Sequence, residues 1–390
     1  MARTVSIVTG PILGLQSERF LAQTVEFAAG QGKKIKVFDL LDEIAEIEQA
    51  SWDNSFERLV FIGELLDGYQ YQFDLLRRAA YSAIAAKMER LPQSLDPLIR
   101  APAAIEWRGI QLEFKDHDVI ADAIRPDRIV TLINAEHKIL AELKTQYGKR
   151  GMEVISQSGE ATTETVLEWL GACVSRSEDW ADWASRVLGR KVQHFVLSTE
   201  APSRRDRSKF IPDVDNLAKV ATAKKLPSFY SSYSMTVAGE AEREAINRAV
   251  WRLREYGLVV DPGTIEIATD TDPADKSLVF AYTVFRDLRW DVKKVDAVAA
   301  FHPYKERPPL STGMMDELGH AKAFGKDRYI VLPTGGGSPF TAGTLVPKNH
   351  LFASENAFFE FIEKKRRPTL KPQFADQVAA FATWKPPTQT

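Results

Sequence analysis

The chain has 390 residues, 44% of them hydrophobic and 27% charged, with a formal net charge of −2. That length suits two domains with cores of their own, and the near-neutral balance gives no general drive toward nucleic acid or an anionic membrane. A single cysteine, Cys173, excludes an intramolecular disulfide and a thiolate zinc cage. No apolar run reaches the roughly 18 residues that span a bilayer, and the apolar core at the start is too short for a secretory leader, so the chain reads as cytoplasmic.

Residues 4–9 form a β-branched run closed by Gly10-Pro11. A helical pattern follows to about residue 31, and a second strand covers 35–40. Strand, turn, helix, strand is the opening of a βαβ unit and predicts a parallel sheet. Residues 55–90 read as helical with breaks near Gly68 and Pro92, and 128–133 as a buried strand behind Pro126-Asp127. A helical stretch at 163–189 ends at Gly189, and 194–198 is a short strand. The polar, basic stretch 200–213, with a proline near each end, reads as surface loop. A fresh pattern begins at Ser228. Strands at 229–235, 265–268, 295–301 and 328–332 alternate with helices at 241–256, 282–294 and 313–324. A last helix at 355–367 carries Phe358, Phe359 and Ile362 on its apolar side. This alternation predicts a second parallel sheet with helices on both faces. The expectation is an α/β protein with domains at 1–200 and 225–390 and a linker at 201–224.

The first turn, Gly10-Pro11-Ile12-Leu13-Gly14-Leu15-Gln16-Ser17, has the strand-before, helix-after context of a phosphate-binding P-loop. Gln16 stands where the lysine should reach the β- and γ-phosphates, and without that cation γ-phosphoryl transfer loses a main source of charge stabilisation. Gly10, Gly14 and Ser17 therefore mark a degenerate phosphate loop. A helix start still offers N–H groups to an anion, and a tight turn with no ligand is the plain alternative. Three stretches carry a resemblance to archaeal-type adenylate kinases: Ile7-Val8-Thr9-Gly10, Lys36-Val37-Phe38-Asp39 and Arg125-Pro126-Asp127-Arg128-Ile129-Val130. That resemblance implies a P-loop kinase-like domain. The departures are Leu98-Ile99-Arg100-Ala101-Pro102, which lacks the family's metal-side carboxylate, and Lys144 to Arg150, which matches the arginine-rich lid poorly. They imply a nucleotide-binding ancestor whose catalysis has been lost.

The second half carries the sharper constellation: Tyr230 on the first strand, Arg286-Asp287-Leu288-Arg289-Trp290 before an apolar strand, and Ser311-x-Gly313-x-x-x-Glu317-Leu318-Gly319-x-Ala321 followed by Gly325-Lys326. In this order the stretches resemble the nucleoside 2-deoxyribosyltransferase superfamily, including the 2'-deoxynucleoside 5'-phosphate N-hydrolases, whose signature is S-x-G-x-x-x-E-x-G-x-A. The resemblance covers about 110 residues and implies a smaller, flavodoxin-like domain. It implies that Glu317 is the nucleophile at an anomeric carbon, and that Asp287 is the acid/base for the leaving base or a contact to the sugar. Tyr230 would orient Glu317 or the sugar, and Ser311 with the N–H groups from Gly313 onward would hold a 5'-hydroxyl or 5'-phosphate. A nucleoside or nucleotide is the implied ligand, with no cofactor or metal, in a homo-oligomer whose subunits complete each other's sites.

The residue chemistry agrees. A carboxylate is suited to trap an oxocarbenium-like state, and a place near a helix start would keep Glu317 ionised. Each residue also has a plain reading. Glu317 would favour the helix dipole, Asp287 would pair with Arg286 or Arg289 on the surface, Tyr230 would be a packed aromatic, and Ser311 would cap a helix. Ser234 and His302 are further candidates for the pocket wall, and Gly335-Gly336-Gly337-Ser338 for a phosphate cradle. His320 reads as structural, Asp116-His117-Asp118 as a solvated loop, and the basic run Arg204, Arg205, Arg207, Lys209 as a solvated face. The alternatives are a non-catalytic nucleotide-binding protein and, against Gln16, a nucleotide kinase.

Overall fold

Runs rich in β-branched and aromatic residues suit buried parallel strands, and here they form two parallel sheets. The structure is a computed structural model. It describes residues 3–11, 15–51, 55–68, 70–155, 161–199, 213–234, 238–264, 273–302, 310–332 and 344–365. The chain divides into two compact units. The first comprises residues 1–201, 209–224 and 265–282, and the second 202–208, 225–264 and 283–390.

The first unit runs β1 (Ser6–Thr9), α1 (Leu15–Gly30), β2 (Ile35–Asp39), α2 (Leu40–Glu48), α3 (Ser55–Gly68), α4 (Gln70–Glu89) and β3 (Asp96–Arg100). It continues with β4 (Ala104–Trp107), β5 (Ile110–Glu113) and α5 (His117–Val119), the last leading into a π-turn at Ile120–Ile124. Then come β6 (Arg128–Ile133), α6 (Glu136–Ile155), α7 (Thr163–Leu188), β7 (Gln193–Ser198) and α8 (Val214–Thr222). The sheet order is β2-β3-β1-β6-β7, with every pairing parallel. β1 and β6 are buried along their whole length.

Two expectations change in this unit. Residues 214–222, read as linker, form a helix buried along nearly its whole length, and residues 209–224 belong to the first unit. Its polar residues are paired inside: Asp213 accepts from the Ser198 backbone N–H at 2.8 Å, and Lys219 and Asp215 form a buried ion pair at 2.7 Å. Asp116, read as part of a solvated loop, is 1% exposed. It receives Arg77 through Nε and Nη2, and the Arg77 guanidinium lies against the Phe73 and Phe114 rings. Among the described residues no group of His, Cys, Asp and Glu side chains is arranged to hold a metal ion, and no helix is long and apolar enough to cross a membrane.

The second unit runs β8 (Ser228–Ser232), α9 (Glu240–Arg254), β9 (Leu258–Val260) and a 3-10 turn at Pro262–Thr264. α10 (Pro273–Phe285) crosses the division between the units. It passes into a π-helical segment at Arg286–Val292, then β10 (Ala297–Phe301), α11 (Thr312–Ala323), β11 (Asp327–Val331), β12 (Leu351–Phe352) and α12 (Glu355–Lys365). The sheet order is β12-β11-β10-β8-β9, again all parallel. The strand expected at 265–268 lies outside the described residues, and the edge strand is β9 instead.

Successive strand residues face opposite sides of the sheet, and the two cores follow that alternation. Phe229, Ala297, Ala299, Phe301, Tyr329 and Val331 pack with α9 and α12 on one face. Tyr230, Val298, Ala300 and Ile330 pack with Met314, Leu318 and Ala321 of α11 on the other. The second face holds the candidate site.

Candidate active site

β8 connects through α9 to β9 on one side, and the chain then returns past β8 to β10 on the other. The winding direction therefore reverses between β8 and β10. Ligands in open parallel sheets gather outside the carboxyl ends of strands at such a switch point.

Tyr230 and Ser232 are two residues apart on β8, so both side chains meet α11. The fully buried Tyr230 hydroxyl donates to Glu317 Oε1 at 2.8 Å. The Ser232 hydroxyl donates to Glu317 Oε2. Both carboxyl oxygens are thus held by neutral donors from one strand. Glu317 is only partly buried as a residue, but its carboxyl end is the part drawn in against β8. Burial pushes its pKa up to about 8, against the two hydroxyl bonds that favour the anion, and the charge of Asp287 adds to the rise. The expectation that the helix start keeps Glu317 ionised is overturned. Glu317 is the sixth residue of α11, beyond the first turn where the dipole acts, and desolvation dominates.

Arg286 and Asp287 sit on the π-helical segment, a rare geometry often found at functional sites. Arg286 is 3% exposed and donates from Nε and Nη2 to Asp287 Oδ1 at 3.0 and 2.8 Å, with Asp291 Oδ2 at 3.9 Å. The pair is buried rather than on the surface. Burial raises the Asp287 pKa and Arg286 works against that rise. Burial likewise opposes the charge of Arg286, but the two aspartates more than offset it and raise its pKa. Tyr230 is held well above the usual phenol range by burial first, then by Glu317, Asp287 and Asp291. It therefore stays a neutral donor.

Ser311 caps α11: its Oγ accepts from the Met314 backbone N–H at 3.3 Å. Gly313 lies one turn before Glu317 on the same helix face, and a Cβ there would meet nothing within 4 Å. Ser234 is buried just beyond the end of β8, and His302 is buried at the end of β10, where its backbone N–H donates to Val331 O at 3.0 Å. His320 bonds within its own helix, Nδ1 lying 2.9 Å from Asp316 O. Tyr230, Glu317 and Asp287 are brought together. Ser311 and Gly313 join them through one helix, and Ser234 and His302 through the ends of β8 and β10. Gly335 to Ser338 and Arg204 to Lys209 lie outside the described residues. Ser232 was missed, although its spacing of two from Tyr230 placed it on the same face of a predicted strand.

In the first unit, Gly10 has φ +132°, and a Cβ there would lie 2.2 Å from Leu132 O, so glycine is required. Gly14 and the side chain of Ser17 lie outside the described residues. A cavity of about 40 Å3 at the ends of β1 and β6 is lined by Thr9, Arg100, Asn134, Glu142 and Trp169 among others. That is room for a few waters. Arg100 stands where the kinase-like pattern wants a carboxylate, and it lies 3.3 Å from Asp39 and 3.5 Å from Glu18. One guanidinium already facing two carboxylates is a poor cradle for a polyphosphate.

Searches against models of known families and against curated proteins each returned no match.

Proposed function

We propose that the second unit cleaves or transfers an N-glycosidic bond of a nucleoside, nucleotide or nucleotide-derived molecule, with Glu317 as the nucleophile. The observation that carries this reading is the carboxyl of Glu317 held through both oxygens by Tyr230 and Ser232 at the switch point of the sheet. Two donors from one strand fix the direction of the carboxylate, and orientation of that kind is a large part of catalysis. In the reaction one carboxylate oxygen adds to the anomeric carbon as the base departs, and water or a second base then opens the glycosyl ester. Asp287, kept beside Arg286, supplies a second negative charge against the oxocarbenium-like state. The order β9-β8-β10-β11-β12 is 2-1-3-4-5 in chain numbering, which supports a flavodoxin-like domain. The first unit serves as a kinase-like scaffold or nucleotide sensor, and the resemblance to a superfamily with shared sites supports a homo-oligomer.

The raised pKa means that only a minor fraction of Glu317 is ionised at neutral pH in the free protein. The nucleophile reading therefore requires activity that rises toward alkaline pH or a substrate that draws the proton off. The test is release of free base from a panel of nucleosides, deoxynucleoside monophosphates and NAD, measured by chromatography, with wild type beside Glu317→Ala. Release by wild type and not by the variant supports the reading. Equal release by both, or none from folded wild type, removes it in favour of ligand binding without turnover.

A further inference from the structure

Resting on the reading of Glu317 as the reacting group, we infer that Tyr233 is a positioning residue. Its phenol latches the end of β8 to Asp261, just past β9, and so holds Ser232 in its bond to Glu317.

Ser232 stands where β8 loses backbone support on one side. The parallel pairing with β10 runs on to Ser232 and Ala300, but the pairing with β9 ends two residues earlier, at Tyr230 and Val260. From that point side chains tie β8 to β9. The Ser231 hydroxyl donates to Val260 O at 3.4 Å, and the Tyr233 hydroxyl donates to Asp261 Oδ1 at 2.6 Å. The second bond is the stronger, as short as hydroxyl bonds to carboxylates run. The Tyr233 ring also packs against the core that holds Phe229 and Phe301, so its position is set by packing as well as by the bond.

The receiving end is shaped for the phenol. Asp261 Oδ1 also accepts from the Gly263 backbone N–H at 3.0 Å, and Asp261 O accepts from the Thr264 hydroxyl at 2.8 Å. These bonds fix the carboxyl group where Tyr233 meets it. A Cβ at Gly263 would lie 2.5 Å from Tyr233 Oη and 3.3 Å from Asp261 Oδ1. Gly263 does not take up the left-handed backbone region that favours glycine. Its missing side chain instead makes room for the tyrosine hydroxyl.

Adjacent strand residues face opposite sides of a sheet. Tyr233 lies on the side of α9 and α12, and Ser232 on the side of α11. The two are joined by one planar peptide, so a ring that leaves Asp261 turns the Ser232 hydroxyl with it. Burial raises the pKa of Glu317, and the Ser232 bond works against that rise. A displaced Ser232 therefore shows in where Glu317 titrates.

The experiment titrates Glu317 itself, without substrate. Full-length protein carrying glutamate labelled with carbon-13 at the carboxyl group is followed by NMR across neutral and alkaline pH. The Glu317 signal is identified by its loss in Glu317→Gln. Tyr230, Asp287 and Asp316 also act on Glu317 and stay in place in every other variant. The expected result is that Tyr233→Phe and Gly263→Ala each raise the Glu317 midpoint by about half a pH unit, in the direction of Ser232→Ala. Neither moves it further when Ser232→Ala is already present. Asp261→Ala raises it likewise, and Asp261→Asn, which keeps an accepting oxygen for the phenol, does not. Folded Tyr233→Phe and Gly263→Ala that lose stability with the midpoint unmoved would make Tyr233 a fastener and overturn the inference. Shifts that add to that of Ser232→Ala overturn it as well, and so does a midpoint unmoved in Ser232→Ala. Should Tyr233→Phe fail to fold, Gly263→Ala, which keeps the phenol, decides the matter. Because the readout needs no turnover, the latch can fail with the glycosidase reading intact, and the reading can fail with the latch established.

Discussion

Each unit buries a carboxyl group, and the two are neutralised in opposite ways. Asp116 of the first unit faces the guanidinium of Arg77, which itself lies against the rings of Phe73 and Phe114. Glu317 of the second faces two hydroxyls. Burial raises the pKa of both, but at Asp116 the Arg77 charge opposes it strongly, whereas at Glu317 the value reaches about 8. A carboxylate matched to a buried cation is a fastener. One matched only to neutral donors keeps unspent charge and a proton that can leave near physiological pH, which is what a site of chemistry needs.

The largest effect expected from this contrast is structural. Arg77→Met leaves Asp116 buried without its cation and should cost about 3–5 kcal/mol, whereas Arg77→Met with Asp116→Leu recovers most of it. Denaturant unfolding measures both. A loss under about 1 kcal/mol in the single variant would mean that Asp116 is not fastened by Arg77. Glu317→Gln, by contrast, should leave stability unchanged or improved.

The second expectation is a pH dependence of opposite origin. The folded pKa of Glu317 is raised above its unfolded value, so the folded state holds a proton that the unfolded state has released. Stability is fully present below about pH 4.5 and falls between there and about pH 8, by up to about 1.4 kcal/mol per pH unit, then levels off. The difference between wild type and Glu317→Gln isolates this group. A difference that does not change across that window would place the carboxyl in water.

The same contrast shows what the sequence could carry. The strands at 128–133 and 295–301 were legible because fully buried parallel strands leave largely apolar runs, and those at 4–9, 35–40, 194–198, 229–235 and 328–332 because β-branched and aromatic residues cluster between turn signals. The β4–β5 hairpin was not, because its two-residue turn is Arg108-Gly109, both at positive φ, and arginine is not a residue that announces such a turn. α8 was hidden inside the expected linker, because its polar residues Asp215, Asn216 and Lys219 are buried only with their partners in place. Asp116 was misread for the same reason. Sequence locates a charge but not the counter-charge that lets it be buried. At the candidate site Tyr230, Asp287 and Glu317 were singled out by the resemblance, and the structure places them near one another; their roles are proposals. The ionisation of Glu317 was not legible, because desolvation comes from residues distant in the chain.

A third expectation concerns the first of the two hydroxyls. Tyr230→Phe removes a buried donor to a carboxylate, a bond worth about 1.5–3 kcal/mol. Because that bond favours the anion, its loss should move the rising limb of the kcat/KM profile above about pH 8 and lower activity at pH 7 by roughly ten- to a hundredfold. An unmoved profile would reduce Tyr230 to packing.

Ser232 gives the finest test of the comparison. It meets the oxygen of Glu317 that Tyr230 does not. Ser232→Ala removes a hydroxyl bond to the same carboxylate, so it should raise the pH midpoint of kcat/KM and slow turnover by an amount comparable to Tyr230→Phe. Ser232→Thr keeps the hydroxyl on the same strand face and should restore both. A serine that only filled space would give a small loss of stability with no shift in the midpoint, and threonine would then be no better than alanine. A shift that threonine reverses would show that the second donor, and not volume, sets where Glu317 gives up its proton. The hydroxyl pair would then do at Glu317 what Arg77 does at Asp116, with the charge left available.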